Sequence, residues 1–344
     1  MKELVIQECG REAYNYFSKF MDLESSTTLI VSTSTVFNIL QNTSKINAII
    51  NLKRMNDFRF INKVFEGVNS KLKQGDLFIT CVETYTARRG KNRVRKIPVL
   101  RGLYFGFEFI FMRVFPKLKG FKKIYFFVTK GRNRVLSKAE AFGRLASCGF
   151  NIEAYQSYNG LMYIVAKKTK EPAFNMHASY GPIYKMPRMG KNGKTIGVYK
   201  FRTMHPYAEY LQDYVLKVNG YSETGKPAND FRLTPWGKFL RRYWLDELPQ
   251  LFNLLKGDLK LVGVRPISHR YFEDIPKDLQ DLRIKQKPGC IPPYVSLDRK
   301  PGVDSVLNSE REYLLEKAKK PYTTDTKYFF KAVFNILFKR KRSA

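Results

Sequence analysis

From Leu29 to Ala166 short β-prone runs alternate with segments of helical period, and this alternation most narrows the folds open to the chain. Leu29 to Ser32, Leu77 to Val82, Ile124 to Thr129 and Leu161 to Ala166 read as strands, with Gly75-Asp76 leading into the second. Phe58 to Leu72 and Ser137 to Ser147 read as helices. A layered α/β domain buries such elements well, so residues 1–168 are expected to form one, Rossmann-like in class. Charge and proline replace the apolar pattern at Lys167 to Pro172, which reads as a linker, and a second domain is expected over 172–344. A chain of 344 residues is long for a single core.

Charge bears on partners. Sixty-two Lys and Arg against thirty Asp and Glu give a formal charge of +32, which favours a polyanion: nucleic acid, anionic lipid or a nucleotide. The basic residues spread over both halves without a helix-turn-helix, RNP or zinc-finger pattern, so nucleic acid is not expected. Cys9, Cys81, Cys148 and Cys290 are far apart and form no CxxC pair, and a reduced, cytoplasmic setting is expected.

No stretch reaches the roughly 18 apolar residues of a spanning helix. Residues 97–118 come nearest, interrupted by Arg101, Glu108 and Arg113, and follow the basic run Arg88, Arg89, Lys91, Arg93, Arg95 and Lys96. They read either as an interfacial helix or as a buried helix beside a solvated loop. Near the other end Phe329, Phe330, Val333, Phe334 and Leu337 recur at helical spacing ahead of Lys339, Arg340, Lys341 and Arg342. An anionic membrane surface is the expected partner of this segment, at about 1 kcal/mol for each nearby charge. The alternative is a helix docked on its own domain.

The chemistry concentrates in two stretches. GPIYKMPRMGKNGKTIGVYKFRTM, residues 181–204, reads as two short strands joined by a turn at KNGK, followed by Lys200 and Arg202. DFRLTPWGKFLRRYWLDELPQLFNLLKGDLKLVGVRP, residues 230–266, sets Arg241 and Arg242 before Asp246-Glu247, and Arg265 beyond the next element. Leu248, Leu251, Phe252 and Leu255 mark one apolar helical face, which Gly257 ends. Asp246 suits the N-cap of that helix, and the positive helix end there favours its ionised form. An ionised carboxylate is also a nucleophile toward phosphorus. Glu247 is suited to a hard divalent ion such as Mg2+, and Arg241 and Arg265 to a diphosphate.

On these motifs, together with the KPG at 287–289, the chain from about Ser179 onward resembles the bacterial sugar transferases, the monotopic polyprenyl-phosphate phosphoglycosyl transferases. The resemblance implies a mostly helical α/β domain and a two-step transfer. Asp246 would attack the sugar-linked phosphate of a UDP-sugar and release UMP; polyprenyl phosphate would then take the sugar phosphate from the phospho-aspartate. It also implies Mg2+ at Glu247, phosphate contacts from Lys200, Arg202, Arg241 and Arg265, and action at the cytoplasmic face of a bacterial inner membrane. The chain departs from the family pattern at three places. KKTKEPAFNMHASY stands where a long apolar re-entrant helix is usual, Val264 replaces the first proline of GPRP, and CIPPYVSLDRKPG follows KPG. Residues 97–118 and 328–342 are expected to supply the missing anchor. A non-catalytic role in binding glycan precursors or assembling a pathway is the alternative.

The first half resembles the latter part of a class I methyltransferase domain through NDFRFINKVFEGVNSKLKQGDLFITCVET and SKAEAFGRLASCGFNIEAYQSYNGLMYIVAKK. It lacks the GxGxG loop that brings backbone close to a cofactor, so a scaffolding role without bound cofactor is expected.

Overall fold

The computed structural model describes residues 2–91, 97–118, 120–175, 180–220, 227–299 and 302–339. Its contacts group the chain into two units. The first comprises residues 1–181 with 204–220 and 227–232; the second comprises 182–203, 221–226 and 233–344.

The first unit is built on a five-stranded sheet of β1 (Thr28–Val31), β2 (Ala48–Arg54), β3 (Leu77–Val82), β4 (Phe150–Tyr158) and β5 (Leu161–Lys168), in the order β1-β2-β3-β5-β4. The first three strands run parallel, and β5 returns antiparallel beside β3 and pairs with β4. Both faces are covered, which explains why the central strands are apolar at nearly every position. Ile49, Phe78 and Ala166 are register partners and share one face with Phe65, Phe142 and Leu145. Ile50, Ile79 and Val165, one residue along each strand, point to the opposite face, where Val5, Ala13 and Phe17 of the two N-terminal helices cover them.

The helices Ile61–Lys71 and Lys138–Ser147 fall inside the expected spans. Ser137 caps the second by accepting a hydrogen bond from the Glu140 amide at 3.1 Å. One expected strand is absent: Ile124 to Thr129 lies in the helix Phe121–Thr129. Its residues are apolar in succession, so neither period is enforced locally. Contact with the preceding helical segment decides the matter, since Phe121 packs on Phe115 and Tyr125 on Phe111.

The second unit is mostly helical. Its β6 (Ile183–Met189) and β7 (Thr195–Phe201) form the expected antiparallel hairpin, with Asn192 and Gly193 taking positive φ in the KNGK turn. A short parallel pair, β8 (Lys260–Val262) and β9 (Gly289–Ile291), joins VGVRP to KPG. The core gathers Val262, Val264, Ile275, Leu279, Tyr313, Leu314 and Tyr328. Beside it Arg283, buried, pairs with buried Glu310 and donates to the Arg265 carbonyl.

The C-terminal helix, Thr324–Phe338, shows part of its expected apolar stripe, Phe330, Phe334 and Leu337, to the outside, while Phe329 packs against the core. Thr324, Tyr328, Ala332 and Asn335 face the unit, whereas Phe330, Phe334, Leu337 and Phe338 are exposed. Asn335 donates to the carbonyls of Val295 and Ser296, each at 2.9 Å, so this helix is seated through polar and small residues as well as through Tyr328. Lys339 reaches Asp298 at 2.7 Å; residues 340–342 of the basic tail and 92–96 of the earlier basic run lie outside the described residues. Among the described residues no helix is long and apolar enough to cross a membrane.

Candidate active site

Thr203, in the KFRTM string, organises the site. Its carbonyl accepts from the Thr234 amide and from Thr234 Oγ1, both at 2.9 Å. Thr234 in turn caps the helix Pro235–Arg242 by accepting from the Gly237 amide, with Pro235 in the first turn where no intrahelical donor is lost. Gly237 has to be glycine here, because a Cβ would stand 2.1 Å from the Thr203 carbonyl oxygen. Arg241, one turn later on that helix, then donates from Nε to Thr203 Oγ1 at 3.0 Å.

The next turn carries the acidic pair. Leu245–Gln250 is a 3-10 helix that runs on into the helix Leu251–Leu255. The expectation of an N-cap at Asp246 is corrected: Trp244, at φ 58°, occupies the start, and Asp246 and Glu247 lie within the turn. An N-cap needs extended backbone, which a helical residue does not offer. Asn253, fully buried in an otherwise apolar run, ties the segment to β7 by accepting from the Tyr199 amide at 3.0 Å and donating to the Gly197 carbonyl at 2.8 Å.

That tie brings Lys200 against Glu247. Lys200 Nζ lies 2.6 Å from Glu247 Oε1, and Arg265 approaches the same oxygen at 3.8 Å. Glu247 Oε2 accepts from Gln250 at 2.8 Å. Around this pair opens a small cleft, lined also by Met186, Arg188, Val198, Pro266, Gly289, Cys290 and Pro292. Three cations, Arg188, Lys200 and Arg265, thus face one carboxylate. Burial lowers the Arg188 value, and neighbouring Arg265 lowers it further. The Cys290 thiol is pushed up to about 11 by burial and then by Glu247.

Asp246 sits outside that lining and is half-buried. Burial raises its carboxyl above the ordinary aspartate range, and Glu247 adds to this, while Lys200 and Arg241 pull it back. Desolvation therefore outweighs the expected helix-end preference for the ionised form. Arg202 is placed differently from the other cations, its guanidinium over the Tyr184 ring at 5.0 Å. The turn thus assembles Asp246, Glu247, Lys200, Arg241 and Arg265 from both motif stretches.

Sequence reading missed Arg188, Thr203, Asn253 and Cys290. Asn253 carried a signal, a lone amide inside LFNLL; the other three were legible only as parts of longer motifs.

Residues 170–339 match the family model described as bacterial sugar transferase. This part of the chain belongs to the bacterial sugar transferase family. The sugar transferase segment is 41% identical over 116 residues to an uncharacterized sugar transferase of Haemophilus influenzae, covering 31% of this chain and 24% of that protein. It is 41% identical over 119 residues to the undecaprenyl-phosphate galactose phosphotransferase of Salmonella typhimurium, covering 32% and 24%. To the putative undecaprenyl-phosphate N-acetylgalactosaminyl 1-phosphate transferase of Bacillus subtilis it is 40% identical over 107 residues, covering 30% and 54%. The chain spans about a quarter of the length of the first two relatives.

Proposed function

We propose that this protein moves a sugar 1-phosphate from a UDP-sugar to polyprenyl phosphate through a phosphorylated Asp246, starting assembly of a surface polysaccharide at the cytoplasmic face of a bacterial inner membrane. The observation that carries the reading is a half-buried carboxylate under the influence of Lys200 and Arg241, next to a cleft that gathers three cations. Relatives named as undecaprenyl-phosphate sugar-phosphate transferases support the acceptor and the sugar phosphate that is moved.

In the first step an Asp246 carboxylate oxygen attacks the phosphorus that bears the sugar, the bond to the bridging oxygen breaks, and UMP leaves with that oxygen. In the second, a polyprenyl phosphate oxygen attacks the same phosphorus and Asp246 departs as carboxylate. Burial makes the nucleophile less solvated, and the cations offset the charge gathered on the phosphoryl oxygens. Lys200 holds Glu247 in place, and Arg188 and Arg265 serve the diphosphate.

Glu247 offers one carboxylate suited to Mg2+, which accepts one or two carboxylates and completes its shell with water and substrate phosphate oxygens. Glu247 would hold the ion, which would neutralise phosphate charge. Phe330, Phe334 and Leu337, exposed on the C-terminal helix, and Leu248, Leu251, Phe252 and Leu255, exposed beside the acidic pair, are the surfaces this reading turns toward lipid.

The test is UMP release from UDP-sugars with Mg2+ and polyprenyl phosphate. Asp246→Asn is expected to lower it by roughly a thousandfold or more. Release unaffected by that change would remove the nucleophile, and no release with any UDP-sugar would favour a non-catalytic role.

A further inference from the structure

Between β3 and the helix Lys138–Ser147 the first unit carries a helical excursion that its core does not use. The helix Pro98–Phe109 continues through a π-helical turn, Ile110–Val114, and a 3-10 turn to the helix Phe121–Thr129. Phe111 against Tyr125 and Phe115 against Phe121 close the two arms into a hairpin, and Tyr125 is buried between them.

The first arm is seated by its inner side: Glu108, buried, pairs with Arg88 at 3.1 Å, and Arg89 lies over the Phe105 ring at 4.5 Å. Its outer side holds Leu100, Leu103, Tyr104, Phe107 and Ile110, all exposed and all at helical spacing. On the second arm Phe121, Ile124, Phe127 and Val128 are exposed, Phe127 to 84%. Single exposed apolar residues need no explanation, but these nine, with Ile97 beside them, mark a surface made for a partner.

Charge identifies the partner. Residues 97–134 hold nine Lys and Arg and one acid, Glu108. That acid is spent internally on Arg88, so the outer surface presents Arg101, Lys122, Lys123, Lys130 and Arg132 with no carboxylate among them. A second copy would meet this face with the same excess of positive charge. A bilayer containing anionic phospholipid complements both the apolar stripe and the flanking cations. Among the described residues no helix is long and apolar enough to cross a membrane, and Arg101 and Glu108 interrupt the first arm, so the hairpin would lie in the interface.

We infer that the hairpin 97–130 of the first unit is an interfacial membrane-binding element specific for anionic phospholipid surfaces. It goes beyond the proposed transfer reaction in giving the first unit a lipid-binding role of its own, in a region outside the residues that match the sugar transferase family model.

The full-length protein is tested by sedimentation with vesicles of phosphatidylglycerol and phosphatidylcholine, and with phosphatidylcholine alone. The wild type is expected to bind the anionic vesicles more tightly, and the exposed substitutions Leu103→Glu, Phe107→Glu, Ile124→Glu and Phe127→Glu together to weaken that binding by roughly tenfold or more. Because the C-terminal helix also offers apolar side chains, a second variant reports on the hairpin alone. Phe107→Trp is expected to add a component of emission that shifts to the blue on anionic vesicles. Equal binding by the glutamate variant, no shift at saturating lipid, no preference for anionic lipid, or a lipid-free dimer that the glutamates dissolve would each overturn the inference. UMP release to a short-chain acceptor in solution reports on the chemistry separately, so either proposal can fail without the other.

Discussion

At position 246 one carboxylate meets two opposing demands. Phosphoryl transfer asks for the ionised form, while half-burial disfavours it and raises the carboxyl above its ordinary value. A carboxyl whose folded value exceeds its unfolded value costs stability when ionised, and the cost shrinks as the pH falls through the raised value and is gone below the ordinary one. Asp246→Asn should therefore leave the fold as stable or more stable at neutral pH while abolishing turnover, which thermal melts at pH 7 and at acid pH would show; clear destabilisation at pH 7 would contradict it. Lys200 lowers the same carboxyl, so in Lys200→Gln the acidic limb of the pH–rate profile should move to higher pH. Its kcat/KM should also fall by roughly ten- to a hundredfold, matching the ~1.5–3 kcal/mol of a hydrogen bond to a charged group. An unmoved limb would separate Lys200 from the nucleophile. The residue types of this site were legible in the motifs. The balance between burial and charge was not, because desolvation depends on neighbours distant in sequence.

At the scale of elements, glycine sets how closely the site's parts approach. β8 and β9 bring Arg265 beside Gly289 and Cys290, and a Cβ on Gly289 would lie 2.2 Å from the Gly263 amide nitrogen. Gly289→Ala must part these strands, so it should cost ~1–3 kcal/mol in denaturant titration and lower UMP release with it. Wild-type stability and activity would show that the strands can yield. KPG was visible as a motif, but its reason, backbone against backbone, appears only when β8 and β9 meet. Similarly, β4 went unread although Asn159-Gly160 marks a two-residue turn, with both residues at positive φ between Tyr158 and Leu161. Phe121–Thr129 went the other way, read as a strand because an all-apolar run matches either period.

For the molecule as a whole, a formal charge of +32 acts at long range and the exposed apolar residues at contact. Binding to anionic vesicles should therefore weaken as salt rises from about 0.1 M to about 1 M, where the screening length shrinks from ~10 Å to ~3 Å. A residue of binding should persist through apolar insertion; affinity indifferent to salt would remove charge from the account. The sequence by itself determined the α/β class, through the alternation of periods, and the family of the second half, through motifs whose order survives without coordinates. It also showed that 97–118 and the last helix are apolar, but not which way they face. Only the tertiary structure decided that, because facing is a relation among elements: Thr324, Tyr328, Ala332 and Asn335 take the inner side of the last helix, and Phe330, Phe334 and Phe338 are left outside. The same holds for Asp246, which Lys200 reaches from a separate stretch of chain that folding alone brings beside it.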